Sequence, residues 1–458
     1  MDLIKTYVLD TNVLIQAPYA LTSFEDNRIV LPLAVLEELD GLKHAEGERG
    51  GNARQAIRFL ETLRAAGSLV EGVDLPGGGS LRLEVNHVAV PLPDGMAPDS
   101  RDNRILKVCK GLLDEGENVT LVTRDIVARI KAQMMGIPAE DFTTDQVPSP
   151  VEQYAGRAEV YVPDGALSGF KKKGMAADAL YTVDGAGASH PVALTENQFI
   201  LLRSDTAEKK TLLGRFHGGR VTPLTFGGER PFGVKARNVG QQFLQEALML
   251  PAKEAPLVIV KGPAGTAKTF YALAAGLEQV LEREPRAYRK ILVCRPNAQF
   301  DQDIGFLPGS EQEKISPLLR PIADNLEILL DQGDGRERRS EEELRGKADY
   351  LFETGVITAE AMNFMRGRSI TDTWLIIDEA QNLTPRQVKG VVTRVGRGTK
   401  VILLGDPAQI DHPLLNERSN GLTYAAQRMM GSPLCAQLTM AADECERSDL
   451  AMDAANRM

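Results

Sequence analysis

Short apolar runs alternate with amphipathic stretches along residues 1–142. "YVLD" (7–10) and "VTLVT" (119–123) read as short buried strands. "GNARQAIRFLETLRAAG" (51–67) places Ala53, Ile57, Leu60 and Leu63 on one helical face and stops at a glycine. "LPGGGSLRLEVNHVAVPLPDG" (75–95) reads as a Gly-bounded hairpin inserted into that region. Such alternation predicts an α/β domain on a parallel sheet over residues 1–145. "TTDQVPSPVEQYAG" (143–156), polar and carrying two prolines, reads as a linker.

The pattern then changes. Between residues 155 and 235, short runs such as "AEVYV" and "NQFILL" are broken by Gly, Pro and Asp. Together with the linker, residues 146–235 read as a small β-rich module. From residue 236 to 458 strand–helix alternation returns with "LVIVKG", "KILVCR", "WLIIDE" and "KVILLGD". Each of these four runs ends in glycine or polar residues, as buried parallel strands that deliver site residues at their C-terminal ends do.

Composition narrows the picture. The chain of 458 residues has no run of about 18 apolar residues, and its start lacks the basic-then-apolar pattern of a signal peptide. Its four cysteines, Cys109, Cys294, Cys435 and Cys445, are far apart and lack metal-ligand spacing, so reduced thiols and a cytoplasmic location are expected. A net charge of −10 argues against indiscriminate coating of nucleic acid. The charge is uneven, however. Residues 151–237 carry 12 basic and 9 acidic side chains and include "FKKKG", a stretch that is either solvated or a contact for a polyanion.

"GPAGTAKT" (262–269) follows an apolar strand and opens a helical pattern, the context a phosphate-cradling loop requires. The loop Gly262, Pro263, Ala264, Gly265, Thr266 and Ala267, with the helix start through Phe270, would surround the phosphates of ATP, and every residue of it except Pro263 has a backbone N–H to offer. Lys268 would reach the β and γ phosphates and Thr269 would hold Mg²⁺. Ala267 stands where the loop pattern has glycine. Ala fits there if its φ is negative, so an early helix start with negative φ is expected. Downstream, "TWLIIDEAQN" ends a strand in Asp378, suited to Mg²⁺, and Glu379, suited to activating water. Gln409 in "LLGDPAQID" is a candidate sensor of the γ-phosphate.

These motifs, with "CRPNAQFDQDIGFLPGSEQEKISPLLRPIAD", "FMRGRSITDTWLIIDEAQNLTPRQVKGVVTRVGRGTKVILLGDPAQID" and "SNGLTYAA", resemble the PhoH family of ATPases, relatives of superfamily 1 helicases. The resemblance covers about residues 236–450. It implies that "ARNVGQQ" recognises adenine, with Gln241 the better candidate and Gln242 a helix-surface residue. It also implies that Arg295 holds nucleic-acid backbone. The chain departs from the family at Ala267 and in "NAQF" (297–300).

The N-terminal region has chemistry of its own. Asp10 ends one strand pattern and Asp125 another; Glu37, Glu38 and Asp40 share a helix, and Asp102 opens one. Acids that converge at one end of a parallel sheet repel and need a cation; all-oxygen donors suit Mg²⁺ or Mn²⁺. Two such ions could activate water against a phosphodiester. "LDTNVLI", "LEELD", "SRDNRIL" and "LVTRD" in this order resemble the PIN nuclease fold over about residues 4–142. The resemblance maps an acidic quartet onto Asp10, Glu38, Asp102 and Asp125, with Asn12 and Thr123 as polar supports. Glu37 remains an alternative to Glu38, because neighbouring helical residues face about 100° apart.

A PIN domain joined to a PhoH-type ATPase resembles the PIN–PhoH proteins, taken to be ATP-dependent RNA-unwinding ribonucleases. RNA is the implied partner. One helicase-like core without a second implies self-association into a ring, with a hexamer expected. Such rings often complete each site with a neighbour's arginine, for which Arg447 is the candidate, with Arg366, Arg368 and Arg418 as others. Two other functions fit the same sequence: an ATP-gated RNA-binding switch whose PIN fold no longer cuts, and a ring ATPase of assembly or stress without processive unwinding.

Overall fold

The computed structural model describes residues 4–24, 26–45, 47–75, 78–85, 87–142, 153–183, 188–207, 210–296, 311–331, 340–360, 370–412 and 415–446. Two compact units form, one of residues 1–145 and one of residues 146–298 and 307–458. Both are mixed α/β, as the alternating patterns predict.

In the first unit, β1 (Thr6–Leu9) pairs in parallel with β2 (Arg28–Pro32) and β5 (Val119–Val122). Then β4 (Ser80–Glu84) extends the sheet beyond β2, and β6 (Ala139–Glu140) beyond β5, both parallel; β3 (Val73–Asp74) adds an antiparallel edge. The expected hairpin is therefore confined to β3–β4. Its second half forms no strand, since Pro91 and Pro93 lack the N–H a ladder needs and β4 already has β2 as a partner. The helices α1 (Thr11–Gln16), α2 (Leu33–Leu42), α3 (Gly47–Ala66), α4 (Arg101–Asp114) and α5 (Ile126–Met134) complete this unit. Ala53, Leu60 and Leu63 of α3 are buried and Ile57 packs beside them, the apolar face that the spacing predicts.

In the second unit, the β-rich module holds β7 (Arg157–Val162), α6 (Asp164–Lys173), β8 (Met175–Ala176), β9 (Tyr181–Val183), β10 (Ser189–Pro191), β11 (Phe199–Ser204), β12 (Thr211–His217) and β13 (Arg220–Pro223). Its seven-stranded sheet runs β10-β9-β7-β11-β12-β13-β8. The rest of the unit contains α7 (Val239–Met249), β14 (Leu257–Lys261), α8 (Lys268–Leu277), β15 (Lys290–Cys294), α9 (Glu311–Asp331), α10 (Glu341–Glu353), β16 (Ile357–Glu360), β17 (Thr373–Ile377), α11 (Pro385–Val392), β18 (Lys400–Gly405), α12 (Gly421–Arg428) and β19 (Cys435–Thr439). Its six strands are all parallel in the order β16-β15-β17-β18-β14-β19. Strands β14, β17 and β18 are buried throughout, which is why they read as unbroken apolar runs.

The module is fastened to this sheet by main-chain contacts. The N–H of Thr439 donates to the Ala155 carbonyl at 2.7 Å, and Asn197 Nδ2 donates to the Cys435 carbonyl at 3.1 Å. At Gly156, with φ 75°, a Cβ would stand 1.9 Å from the Gln437 carbonyl oxygen, so only glycine lets the two segments meet. Lys400 is fully buried; its ammonium caps α7 by donating to the carbonyls of Ala247 (2.9 Å) and Leu250 (2.5 Å) and stands 5.8 Å from the Trp374 ring centroid. Among the described residues no helix is long and apolar enough to cross a membrane.

Candidate active sites

In the first unit, the ends of β1 and β5 lie side by side because the two strands pair in register. Asp10 follows β1, is 9% exposed, and accepts from Asn12 Nδ2 and Thr123 Oγ1, both at 2.6 Å on Oδ2. Asn12 also donates to Thr123 Oγ1 at 3.0 Å, so the two polar residues orient one carboxylate together. Burial raises the pKa of Asp10; hydrogen bonds from the Thr123 hydroxyl and the Thr11 backbone N–H oppose this, and the negative charges of Asp102 and Glu38 raise it further. Two of the other mapped acids, Asp102 and Glu38, thus lie within electrostatic reach of Asp10. Glu37, the alternative at the second position, turns to Arg104 at 2.6 Å, and that hydrogen bond lowers its pKa.

The fourth acid stands differently. Asp125 caps α5, its Oδ1 accepting from the N–H groups of Val127 (2.7 Å) and Ala128 (3.4 Å). Asp102 lies 3.6 Å from Lys131 Nζ, and Glu38 lies 3.7 Å from Arg101. Asp40 pairs with Lys43 on the exposed side of α2. Among the described residues no three His, Cys, Asp or Glu side chains gather closely enough to hold a metal ion. The described side chains do not draw Asp10, Glu38, Asp102 and Asp125 into one ligand set. The chemistry of the donors still suits a hard divalent cation, since Asp10 is buried beside further negative charge and all the donors are oxygens.

In the second unit, β14 delivers the loop 262–267 to α8. Gly262 has φ 155° and a Cβ there would stand 2.7 Å from Met440 Cβ; Gly265 has φ 87°. Ala267 has φ 60° and ψ 25°, a left-handed conformation, and α8 starts only at Lys268. The expectation of negative φ is overturned. The tight turn of the loop takes priority over the preference of L-residues, at a cost of roughly 1–2 kcal/mol. Glu379, with φ 55°, is left-handed as well, so both sides of the site store backbone strain.

Lys268 Nζ donates to the carbonyls of Gly262 (2.7 Å) and Pro263 (2.9 Å) and reaches Thr266 Oγ1 at 3.3 Å. Burial lowers its pKa, while Asp406, Asp378 and Glu379 raise it. Thr269 Oγ1 donates to Asp378 Oδ1 at 3.0 Å, bringing the two expected Mg²⁺ ligands together. Asp378 is 7% exposed; burial raises its pKa and the charge of Glu379 adds to that, while Arg295 opposes. Glu379 Oε1 accepts from Arg295 at 2.9 Å and its Oε2 from Gln381 Nε2 at 2.7 Å.

Two segments of the chain match described families. The profile of "PhoH-like protein" matches residues 233–458 and that of "PIN domain" matches residues 7–143. Protein PhoH2 of Bacillus subtilis (strain 168) is 39% identical over 99% of this chain and 99% of its own. This chain belongs to the PhoH2 family. Protein PhoH2 of Mycolicibacterium smegmatis and of Thermobispora bispora are each 34% identical over 98% of this chain and 95% of theirs.

As a PhoH2-family protein, the chain joins an ATPase-type nucleotide-binding domain to a nuclease-like domain. Several site residues stand apart from their expected roles. Gln241 is 1% exposed and its amide is engaged at both ends: Oε1 accepts from Tyr271 Oη and the Arg237 N–H, each at 2.9 Å, and Nε2 donates to Glu446 at 2.8 Å. The side chain of Gln409 is exposed; its backbone carbonyl accepts from Gln381 Nε2 at 2.8 Å and its N–H donates to the Asp406 carbonyl at 3.0 Å. Arg418 is exposed. Arg366, Arg368, Arg447 and "NAQF" lie outside the described residues.

Three residues escaped the motif reading. Gln381, fully buried, ties Glu379 to the Asp406 N–H (3.2 Å) and the Gln409 carbonyl. Asp406 closes β18 and acts on Lys268; its signal is a second apolar run ending in Asp. Glu446 crosses the loop, its N–H donating to the Gly265 carbonyl at 2.9 Å and its carboxylate holding Gln241 and Arg237. No spacing rule in the sequence points to Glu446.

Proposed function

We propose that this PhoH2-family chain is an ATP-dependent RNA-unwinding ribonuclease. ATP hydrolysis at the phosphate loop drives RNA, and the acids around Asp10 cut it with Mg²⁺ or Mn²⁺. The observation that carries the reading is Asp10, a buried carboxylate facing the charges of Glu38 and Asp102, an arrangement that a divalent cation relieves. When bound, that cation would lower the pKa of a water and offset charge on the cleaved phosphodiester. Asp10, Glu38, Asp102 and, on release from its cap, Asp125 are the residues that would hold it. Asn12 and Thr123 keep the Asp10 carboxylate turned inward.

At the ATP site, the loop amides and Lys268 bind the phosphates. Thr269 and Asp378 would hold Mg²⁺. Glu379 is the general base for water, and Arg295 and Gln381 fix its two oxygens. Gln241 reads the base after exchanging its bond with Glu446. The chain acts in the cytoplasm as a hexameric ring in which Arg447 completes a neighbour's site.

The capping bonds of Asp125 favour a second reading, an ATP-gated RNA-binding switch whose nuclease-like domain does not cut. One experiment separates the two. Purified protein is incubated with a labelled, tailed RNA duplex, with and without ATP, in Mg²⁺ or Mn²⁺, and unwinding and cleavage are scored separately. ATP-dependent strand separation with metal-dependent cutting supports the first reading. Binding without cutting in either metal supports the switch.

A further inference from the structure

The β-rich module and α7 enclose an open cleft of roughly 650 Å³, within the size range of small-molecule sites. Leu212 and Leu213 of β12, with Pro223 and Leu224, give it an apolar side. Gln242 of α7 and Lys171 of α6 supply polar groups. The segment after β13 is pinned to α7. The buried Glu246 carboxylate accepts from the N–H groups of Thr225 (3.0 Å) and Phe226 (2.6 Å), and Gln245 Nε2 donates to the Glu229 carbonyl at 2.8 Å. The cleft is therefore built into the fold.

Charge says what it takes. Four basic side chains of the module are paired with carboxylates: Arg203 with Glu159, Lys210 with Asp164 at 2.9 Å, Arg215 with Glu254 at 3.4 Å, and Arg157 with Glu444 at 2.7 Å. Lys171, Lys172 and Lys173, in the last turn of α6, are exposed, and among the described residues none pairs with a carboxylate. Arg220 donates to the Lys173 carbonyl at 3.1 Å and adds a fourth positive charge. Glu229, beside the cleft-lining Gly227 and Gly228, is paired with Arg283 at 3.2 Å. Positive charge without a carboxylate partner thus stands in the helix turn that begins at the cleft-lining Lys171.

We propose that this cleft binds a single strand of RNA, with a base against the leucine–proline side and successive phosphates on Lys171, Lys172 and Lys173. The proposal rests on the RNA reading given above and assigns that strand a place. Apolar contact to one face of a base, plus backbone charge, is tolerant of sequence. Phe170 is 1% exposed, so aliphatic rather than aromatic contact supports the base.

The test is binding of a fluorescent single-stranded RNA to the full chain and to a Lys171→Ala, Lys172→Ala, Lys173→Ala variant across a salt series. All three lysines are exposed, and a thermal melt checks the fold of the variant. Single strands lose about 0.7 in the log–log salt slope per lysine contact, so the slope should become shallower by about 2 and affinity should fall more than about tenfold near 0.1 M salt. RNA carrying 4-thiouridine should crosslink to the peptide holding Leu212 and Leu213. Wild type that binds RNA while the variant matches it within about threefold in affinity, with the same slope, overturns the proposal and leaves the RNA reading standing. Crosslinks confined to other segments overturn it too, as does competition by uridine monophosphate equal to that of the oligonucleotide. Wild type that binds no RNA overturns the reading and the proposal together.

Discussion

Ala267→Gly separates strain in the fold from strain in binding. The left-handed φ of 60° costs an alanine roughly 1–2 kcal/mol and costs glycine nothing. Glycine also loosens the unfolded chain, which takes back about 0.4–1 kcal/mol. The net expectation is a gain of about 0.5–1 kcal/mol in the stability of the second unit. For a unit of this size that is a rise in melting temperature of about 1–3 °C. The left-handed turn is set by the closure of the loop onto Met440, so the strain belongs to the loop itself and cancels from the affinity. ATP affinity should therefore change less than about threefold. Differential scanning calorimetry and nucleotide titration on both proteins measure the two quantities. An unchanged melting temperature together with ATP binding more than about tenfold tighter in the glycine variant would refute the reasoning. That result would mean that the methyl group obstructs phosphate, or that the loop becomes left-handed only on binding. A control is Ala267→Val: β-branching makes the left-handed region costlier, so this variant should melt below wild type.

Other expectations follow from the two sites. Asp10→Asn should abolish RNA cleavage and leave ATP hydrolysis within about twofold; Mn²⁺ should raise the melting temperature of wild type more than that of the variant, and equal shifts would disconnect Asp10 from metal. Glu379→Gln should retain ATP binding and lose turnover by about a hundredfold or more, the scale of general-base catalysis, whereas Lys268→Ala should weaken binding itself; both are read by titration and phosphate release. Burial pulls Lys400 down to about 7, with Arg215 lowering it further and Glu254 opposing. The unfolded chain then holds more protons than the folded one between about pH 7 and 10.5, so this lysine makes stability rise with pH across that window, by up to roughly 1.4 kcal/mol per unit. Lys400→Met should flatten that rise in chemical denaturation at pH 7, 8 and 9; an equal slope in both proteins would show that Lys400 does not carry it.

The apolar periods determined the element types, because a strand buried on both faces must be apolar throughout and a helix needs only a stripe. That is why the four runs of the ATPase half and the apolar face of α3 were readable without coordinates. Residue order also fixed the loop, Lys268, Thr269 and Asp378, whose chemistry depends on neighbours in sequence or on strand ends. What depended on the third dimension was direction. Whether Glu37 or Glu38 faces Asp10 was set by how α2 lies against α4, where Arg104 captures one of them. The backbone at Ala267 was set by closure of the loop onto β14 and Met440, against the residue's own preference. Glu446 comes to Gln241 from 205 residues away, and Gln381 links two strand ends, because parallel strands bring their C-terminal ends together whatever their separation along the chain. Local chemistry is written in short spacing; the partner of a side chain is decided by packing, which short spacing does not encode.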